Sequence, residues 1–163
     1  MVSRGMRGEV AYPLGFRFDM VRGMNIKIMK LHPSAQVPSY AQKHDAGMDM
    51  CTVERVSIPA GRMALIATGL AMEIPRGCVG LIWDKSGLAS KHGLKVMGGV
   101  IDAGYRGEIK VALMNLGRKK VALEVGHKIA QMLIQRVHQA HIKEVKKLSS
   151  TIRGSGGFGS TGK

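Results

Sequence analysis

The sequence predicts an all-β domain, either a sandwich or a jelly roll. From Met24 onward, short apolar segments are separated by residues that favour turns, which is the pattern of consecutive β-strands. Ile109, Val111 and Leu113 occupy every second position of the segment 108–115, a period of two that buries one face of a strand. The one candidate helix, 86–91, is too short to form a helical layer, so a βαβ arrangement is disfavoured.

Eight segments are predicted as strands, each bounded by turn residues. Proline and glycine supply turns at 59–61 and 75–77, and Gly104 and Gly117 supply two more. In chain order the predicted strands are 25–31, 53–58, 63–68, 79–83, 94–97, 108–115, 121–125 and 129–137.

Length and composition indicate one compact domain, since the chain has 163 residues of which 45% are hydrophobic. We expect an N-terminal extension over 1–23 that is flexible or vector-derived, a β-domain over 24–148, and a flexible C-terminal arm over 149–163.

The extension lacks the apolar stretch and cleavage site of a signal peptide. No apolar run approaches the roughly 20 residues of a membrane helix. Cys51 and Cys78 are too few for a disulfide framework. We therefore expect an intracellular protein of the cytoplasm or nucleus, with free thiols.

The charge balance predicts an anionic partner. Lys and Arg number 25 against 11 Asp and Glu, a formal net charge of +14, which favours a nucleotide, a nucleic acid or an acidic surface. The few aromatic residues are not interleaved with the lysines as a base-stacking platform requires. Binding to nucleic acid is therefore expected to be non-specific only.

The segment 98–108, GGVIDAGYRGE, contains the most informative acid of the chain. Asp102 follows small and apolar residues and precedes a turn-prone Ala-Gly-Tyr, which predicts a strand that turns tightly with an acid at its tip. A carboxylate that is buried there is costly unless its environment uses the charge. Asp102 is thus either a functional acid or a solvated residue at the tip of a hairpin.

The glycine-rich tail 152–163 matches two phosphate-binding patterns, and both are rejected. Gly154, Gly156 and Gly159 fit G-x-G-x-x-G, but no strand-turn-helix unit surrounds them. The pattern of a P-loop ends at Lys163 without its Ser or Thr and its helix. The tail is interpreted either as a disordered segment or as a flexible arm whose amides wrap phosphates, with Arg153 as a cation and Phe158 as a stacking surface.

Five short motifs in order resemble those of the trimeric dUTP nucleotidohydrolases, the dUTPase family. They are AGMDM (46–50), DKSGLASK (84–91), GGVIDAGYRGE (98–108), GHKIAQMLI (126–134) and RGSGGFGSTG (153–162). The resemblance implies a jelly-roll homotrimer with active sites at subunit interfaces, each closed by a C-terminal arm from a neighbouring chain. It also implies hydrolysis of dUTP to dUMP and pyrophosphate, which limits uracil in DNA and supplies dUMP for thymidylate synthesis.

The resemblance also implies a role for each matching residue. Asp102 is the general base that activates water for in-line attack at the α-phosphorus, and Asp49 either supports the metal-bound waters or is structural. Mg²⁺ is carried on the triphosphate without direct protein ligands. The substrate-binding positions are Lys85, Ser86, Gly87, Gly99, Val100, Ile101, Tyr105, Lys110, Gln131, Arg153, Phe158, Gly159 and Ser160.

Within this set the resemblance divides the substrate among four regions. A hairpin over 99–110 pairs its main chain with the edge of uracil and excludes the thymine methyl, while Tyr105 packs on the sugar and excludes a 2′-hydroxyl. Ser86, Gly87 and Gln131 contact the phosphates. Arg153 holds the γ-phosphate and Phe158 stacks on uracil as the arm closes.

One motif departs from the family pattern, and two other functions stay open. The second motif commonly carries Arg before its Ser, whereas this chain has Lys85, a point charge that cannot make the planar bidentate contact of Arg.

A dCTP deaminase of the same superfamily is one alternative function, although that relative lacks the Phe-bearing arm. The other alternative is a binding or regulatory protein that keeps the nucleotide fold and recruits a partner through its basic surface.

Overall fold

The computed structural model describes residues 24–157, which form eleven β-strands and one short helix. The strands are β1 (Lys27–Lys30), β2 (Met48–Cys51), β3 (Val56–Ile58), β4 (Met63–Ala67), β5 (Leu70–Glu73), β6 (Cys78–Trp83), β7 (Leu94–Val96), β8 (Val100–Asp102), β9 (Lys110–Asn115), β10 (Val121–Leu123) and β11 (Lys128–Arg136). The helix, α1 (Ser86–His92), is seven residues long and is followed by its C-cap, Gly93, which has a φ of 68°. It is the one helix of residues 24–157, and it is too short to cross a membrane.

The strands of the described region pair in antiparallel sheets. The largest has the order β2-β11-β6-β8, the next has the order β4-β9-β7, and β1-β5 and β10-β3 form two-stranded ribbons. None of the seven strand pairs in these sheets joins strands that are consecutive in sequence, as in a Greek-key or jelly-roll topology. The predicted all-β class agrees with this arrangement.

The core consists of side chains from the inner faces of the sheets. In β9, Val111, Leu113 and Asn115 are buried at alternate positions, as the period of two predicts. Ile66 of β4 and Met132 of β11 are fully buried in the same cluster. Burial of each such large apolar side chain contributes about 1.5–3 kcal/mol relative to exposure.

Three strands lie outside the eight predicted segments: β2, β5 and β8, the last of which falls within the predicted hairpin over 99–110. β2 has the sequence MDMC with all four residues buried, and β5 has LAME with three of four buried. Neither sequence alternates between apolar and polar residues, because both faces of these strands are covered. The strand period therefore gives no signal in either segment.

The predicted hairpin over 99–110 is wrong in its pairing. β8 pairs with β6, whereas β9 pairs with β4 and β7, so the loop 103–109 connects two sheets instead of two partner strands. A tight turn does follow β8, because the amide of Tyr105 donates to the carbonyl of Asp102 at 3.0 Å. Sequence proximity suggested a hairpin, but the edge of β6 provides the partner of β8.

Candidate active site

Most predicted site residues of the described region fall into two groups at opposite ends of β6, and Lys128 joins the first of them. Trp83, the last residue of β6, is opposite Gln131 of β11, which in turn is opposite Asp49 of β2. Val79, near the start of β6, is opposite Asp102 of β8. The four steps from Val79 to Trp83 correspond to about 13 Å of extended strand. We call the first group the Asp49 cluster (Asp49, Lys85, Lys128 and Gln131) and the second the Asp102 cleft.

The Asp49 cluster is built around a buried carboxylate, with a side chain that is only 7% exposed. Oδ1 of Asp49 accepts a hydrogen bond from Nζ of Lys85. Nζ of Lys128 lies 2.7 Å from Oδ2, but outside hydrogen-bond geometry, so that Oδ2 has a charge partner without a directional donor. Two ammonium groups therefore compensate one buried carboxylate.

The protonation of Asp49 follows from these contacts. Burial alone raises the pKa of Asp49, but the ammonium groups of Lys128 and Lys85 outweigh that effect and hold the pKa below its ordinary value. Contact with Asp49 raises the pKa of Lys128. With two lysine side chains around one carboxylate, the cluster has a net positive formal charge.

Gln131 is held beside this cluster by its neighbours. Its Nε2 donates to the main-chain oxygen of Asp84 at 2.9 Å. A methyl group on Gly47 would lie 2.6 Å from Oε1 of Gln131, so a larger residue at position 47 would displace the amide from this position. Gly47 and Asp84 thus fix the direction of the Gln131 side chain.

Exposed main-chain groups follow directly after Asp84. Lys85 is the N-cap of α1 with extended backbone and makes no side-chain capping bond, while Ser86 and Gly87 are both exposed. The first amides of a helix have no partner within the helix. In this position they are donors available to an anion next to the ammonium of Lys85.

The Asp102 cleft is an open cavity of about 610 Å³. Asp102 itself is exposed, which agrees with the tip position that the sequence predicts. The cleft combines apolar walls with charged groups and is lined by Leu65, Val100, Ile101, Asp102, Tyr105, Glu108, Ile109 and Lys110. Such a mixture suits an aromatic base and a sugar with a few polar contacts.

Tyr105 is fixed within the cleft by its own loop. Its hydroxyl donates to the carbonyl of Glu108 at 2.9 Å, and a methyl group on Gly107 would lie 2.5 Å from that hydroxyl. The Glu108 carboxylate accepts the amide of Gly69 at 2.9 Å and lies 3.6 Å from Nζ of Lys110. The ring is therefore packed against the main chain of Gly107.

The remaining predicted residues have different positions. Gly99 has a φ of 108°, and its carbonyl accepts the amide of Ile82 at 2.8 Å, so this carbonyl belongs to the strand pairing. Arg153 is exposed, and its Nε donates within the arm to the carbonyl of Gly156 at 2.8 Å. Three predicted residues, Phe158, Gly159 and Ser160, lie outside the described range.

Sequence reasoning did not assign Lys128, Gly47, Asp84 or the side chain of Glu108 to the site. All four lie in or next to the quoted motifs. Proximity to a motif was the available signal, but the partner of each side chain depends on pairing between distant strands.

Residues 33–162 match the family model for dUTPase. This chain belongs to the dUTPase family. The deoxyuridine 5'-triphosphate nucleotidohydrolase of Wolinella succinogenes is 46% identical over 145 residues, covering 88% of this chain and 97% of that protein. That of Clostridium tetani is 49% identical over 140 residues, covering 85% and 97%.

Solved dUTPase structures have the same fold. The Staphylococcus bacteriophage 80alpha dUTPase with dUpNHpp has a TM-score of 0.79 and 30% identity, covering 85% of this chain and 98% of that one. A variant dUTPase from phage phi11 of S. aureus, described with a structural Mg(II) ion, has a TM-score of 0.72 and 27% identity, covering 77% and 99%. The predicted family and the predicted all-β dUTPase fold are confirmed.

Proposed function

We propose that this chain hydrolyses dUTP to dUMP and pyrophosphate; its relatives are named deoxyuridine 5'-triphosphate nucleotidohydrolases. The observation that carries the proposal is the division of the site into two groups of matching chemistry. One is a cleft of about 610 Å³ with an acid at its edge, and the other is a cationic cluster beside the exposed residues Ser86 and Gly87. The nucleoside of a nucleoside triphosphate matches the cleft, and its triphosphate matches the cationic cluster.

The Asp102 cleft is assigned to the nucleoside and to the attacking water. Asp102 is the general base, because it is an exposed carboxylate at the edge of the cleft that contains Tyr105. Tyr105 is assigned to the face of the deoxyribose, where its fixed ring leaves no room for a 2′-hydroxyl. The uracil edge is assigned to the main chain around Gly99, Val100 and Ile101, and Lys110 lines the same cleft.

The Asp49 cluster is assigned to the triphosphate. Ser86 and the amide of Gly87 donate to phosphate oxygens, and Gln131 is held for the same task. Lys85 is bound to Asp49, so its contribution is a fixed positive charge and not the two-pronged contact of an Arg. Fixed donors and charges aimed at the developing negative charge are the main source of catalysis in phosphoryl transfer.

A homotrimer would bring the two groups together. They are separated by about 13 Å along β6, so one nucleotide is best enclosed when the cleft of one protomer lies against the cluster of the next. The C-terminal arm of a neighbouring chain, with Arg153, Phe158, Gly159 and Ser160, is assigned to the γ-phosphate, the uracil face and the closure of the site. This arrangement requires association for activity.

The donor set fits Mg²⁺ that arrives with the substrate. Within residues 24–157 no group of three His, Cys, Asp or Glu side chains could hold a metal ion, and Asp49 is already neutralised by two lysines. Mg²⁺ bound to the phosphates would neutralise their charge. Asp49 and Gln131 are assigned to the waters around it.

Nucleotide selectivity tests the proposal. The purified chain is incubated with Mg²⁺ and dUTP, dTTP, dCTP or UTP, and release of pyrophosphate and ammonia is measured together with the sedimentation profile. We expect pyrophosphate from dUTP alone, no ammonia from dCTP, and a trimeric species. Equal turnover of UTP, ammonia release, or full activity in a monomer would contradict the corresponding part of the proposal.

A further inference from the structure

Asp84 connects the two main sheets immediately before the phosphate-binding segment. Its Oδ1 accepts the amide of Val96 at 2.6 Å, and its Oδ2 lies 2.7 Å from Nζ of Lys95. Both partners belong to β7 of the β4-β9-β7 sheet, whereas Asp84 directly follows β6 of the other main sheet. The carboxylate therefore fixes the end of β6 to a second sheet.

The main chain of Asp84 makes a separate contact with the site. Its carbonyl accepts Nε2 of Gln131 at 2.9 Å. That bond determines which end of the Gln131 amide is engaged and leaves Oε1 on the opposite side, where Gly47 provides the space. A displacement of Asp84 would thus move Ser86 and Gly87 through the chain and Gln131 through the hydrogen bond.

The carboxylate is suited to this role because it is partly enclosed and charged. Its side chain is 24% exposed. Burial raises the pKa of Asp84, but the Lys95 ammonium and the Val96 amide outweigh that effect and lower it. Hydrogen bonds to an ionised acceptor are shorter and stronger than neutral ones, and the 2.6 Å contact with Val96 agrees with this.

We propose that Asp84 is a positioning residue of the phosphate site, which holds Ser86, Gly87 and Gln131 in register with one another. The inference rests on the proposed dUTP hydrolysis and adds a residue that touches neither the nucleotide nor the water. Most of this positioning comes from the hydrogen bond that the main-chain amide of the buried residue Val96 donates to Asp84. The ion pair with the exposed side chain of Lys95 contributes little to it.

Three variants separate these contributions. Asp84→Ala removes both contacts of the carboxylate, Asp84→Asn keeps an oxygen for the Val96 amide, and Lys95→Met removes the ion pair alone. A misplacement of about 1 Å in a catalytic site lowers the rate by about 10²-fold. We expect kcat/KM for dUTP to fall by about 10²-fold in Asp84→Ala, mainly through kcat. We expect a fall of about tenfold in Asp84→Asn, because a neutral amide oxygen accepts a weaker hydrogen bond from Val96 than a carboxylate does, and of less than twofold in Lys95→Met.

Fluorescence gives a readout that does not depend on turnover. Trp83 is the single tryptophan of the chain, directly precedes Asp84 and is 53% exposed. The emission of each variant is recorded with increasing dUpNHpp and Mg²⁺, beside far-UV circular dichroism. We expect Lys95→Met to reproduce the spectral change of the wild type on binding, and Asp84→Ala to show an altered emission without ligand and weaker binding of the analogue.

The outcomes distinguish the two levels of the argument. Absence of dUTP hydrolysis by the wild-type chain contradicts the proposed function. An active wild type together with an Asp84→Ala variant that matches Lys95→Met in kcat/KM and in Trp83 emission contradicts the positioning role alone. Should Asp84→Ala not fold, Asp84→Asn decides: kcat/KM and emission equal to Lys95→Met overturn the proposal, and an intermediate kcat supports it.

Discussion

Replacement of Gly107 by alanine tests the assignment of Tyr105 to the sugar. The added methyl group would lie 2.5 Å from Oη and 2.8 Å from Cζ of Tyr105, where ordinary contact requires at least 3.4 Å. The ring must therefore move by about 1 Å, a displacement that lowers catalytic rates by about 10²-fold. At room temperature this corresponds to about 2.7 kcal/mol of transition-state stabilisation.

Stability should change far less than activity in this variant. The displaced ring loses its hydrogen bond to the carbonyl of Glu108, a loss of about 0.5–1.5 kcal/mol. Alanine in place of glycine reduces the entropy of the unfolded chain, which stabilises the fold by about 0.4–1 kcal/mol. Because these effects nearly cancel, we expect the free energy of unfolding of Gly107→Ala to stay within about 1 kcal/mol of the wild type.

The assay compares kcat/KM for dUTP and for UTP, and Gly104→Ala is the matched control. Gly104 lies in the same loop, and a methyl group on it would meet nothing within 4 Å. We expect Gly107→Ala to lose about 10²-fold in kcat/KM for dUTP and to discriminate less against UTP, with Gly104→Ala unchanged. Unaltered kcat/KM and selectivity in Gly107→Ala would refute the reasoning, because the ring would then have no part in recognising the sugar.

Three further variants test the other assignments. Asp102→Asn should lower kcat by about 10²–10⁴-fold while binding of dUpNHpp, measured by calorimetry, is retained. Asp49→Asn should lower the free energy of unfolding at pH 7 but not at strongly acidic pH, as measured by urea unfolding at both pH values. The pKa of Asp49 in the folded state lies below its ordinary value of 3.8. Its ion pairs therefore stabilise the fold above pH 3.8, and this stabilisation is lost as the pH falls through the folded-state pKa. Gly47→Ala should cost about 1–3 kcal/mol of stability through overpacking and lower kcat/KM, because its methyl group displaces the Gln131 amide.

The fold was predictable where one face of a strand is buried. The alternation in 108–115 corresponds to β9, and the short segment 86–91 corresponds to α1. β2 was not predictable as a strand, because its four residues are all buried and include an acid whose charge is balanced by Lys85 and Lys128. The partner of β8 was also not predictable, since pairing between strands is a long-range property that local patterns do not contain.

The sequence motifs supply candidate site residues but not their division into two groups. The structure places Asp102 in the cleft and Gln131 and Ser86 at the other end of β6, and their roles stay predictions. Their spacing in sequence gave no indication that about 13 Å of β6 separates Asp102 from Gln131. That distance depends on which residues of β6 face β8 and β11, and it gives the proposed trimer a physical reason.

The charges of the Asp49 cluster explain how a Lys can stand where the family commonly has Arg. Asp49 is ionised and buried, and two ammonium groups surround it, so the cluster retains one net positive charge beside the exposed amides of Ser86 and Gly87. A bidentate Arg contact requires a planar donor, whereas Lys85 supplies a point charge that is held in place by its hydrogen bond to Asp49. A cluster with a net positive charge repels a free cation and attracts a polyanion. This charge supports the proposal that the metal reaches the site as a complex with the triphosphate.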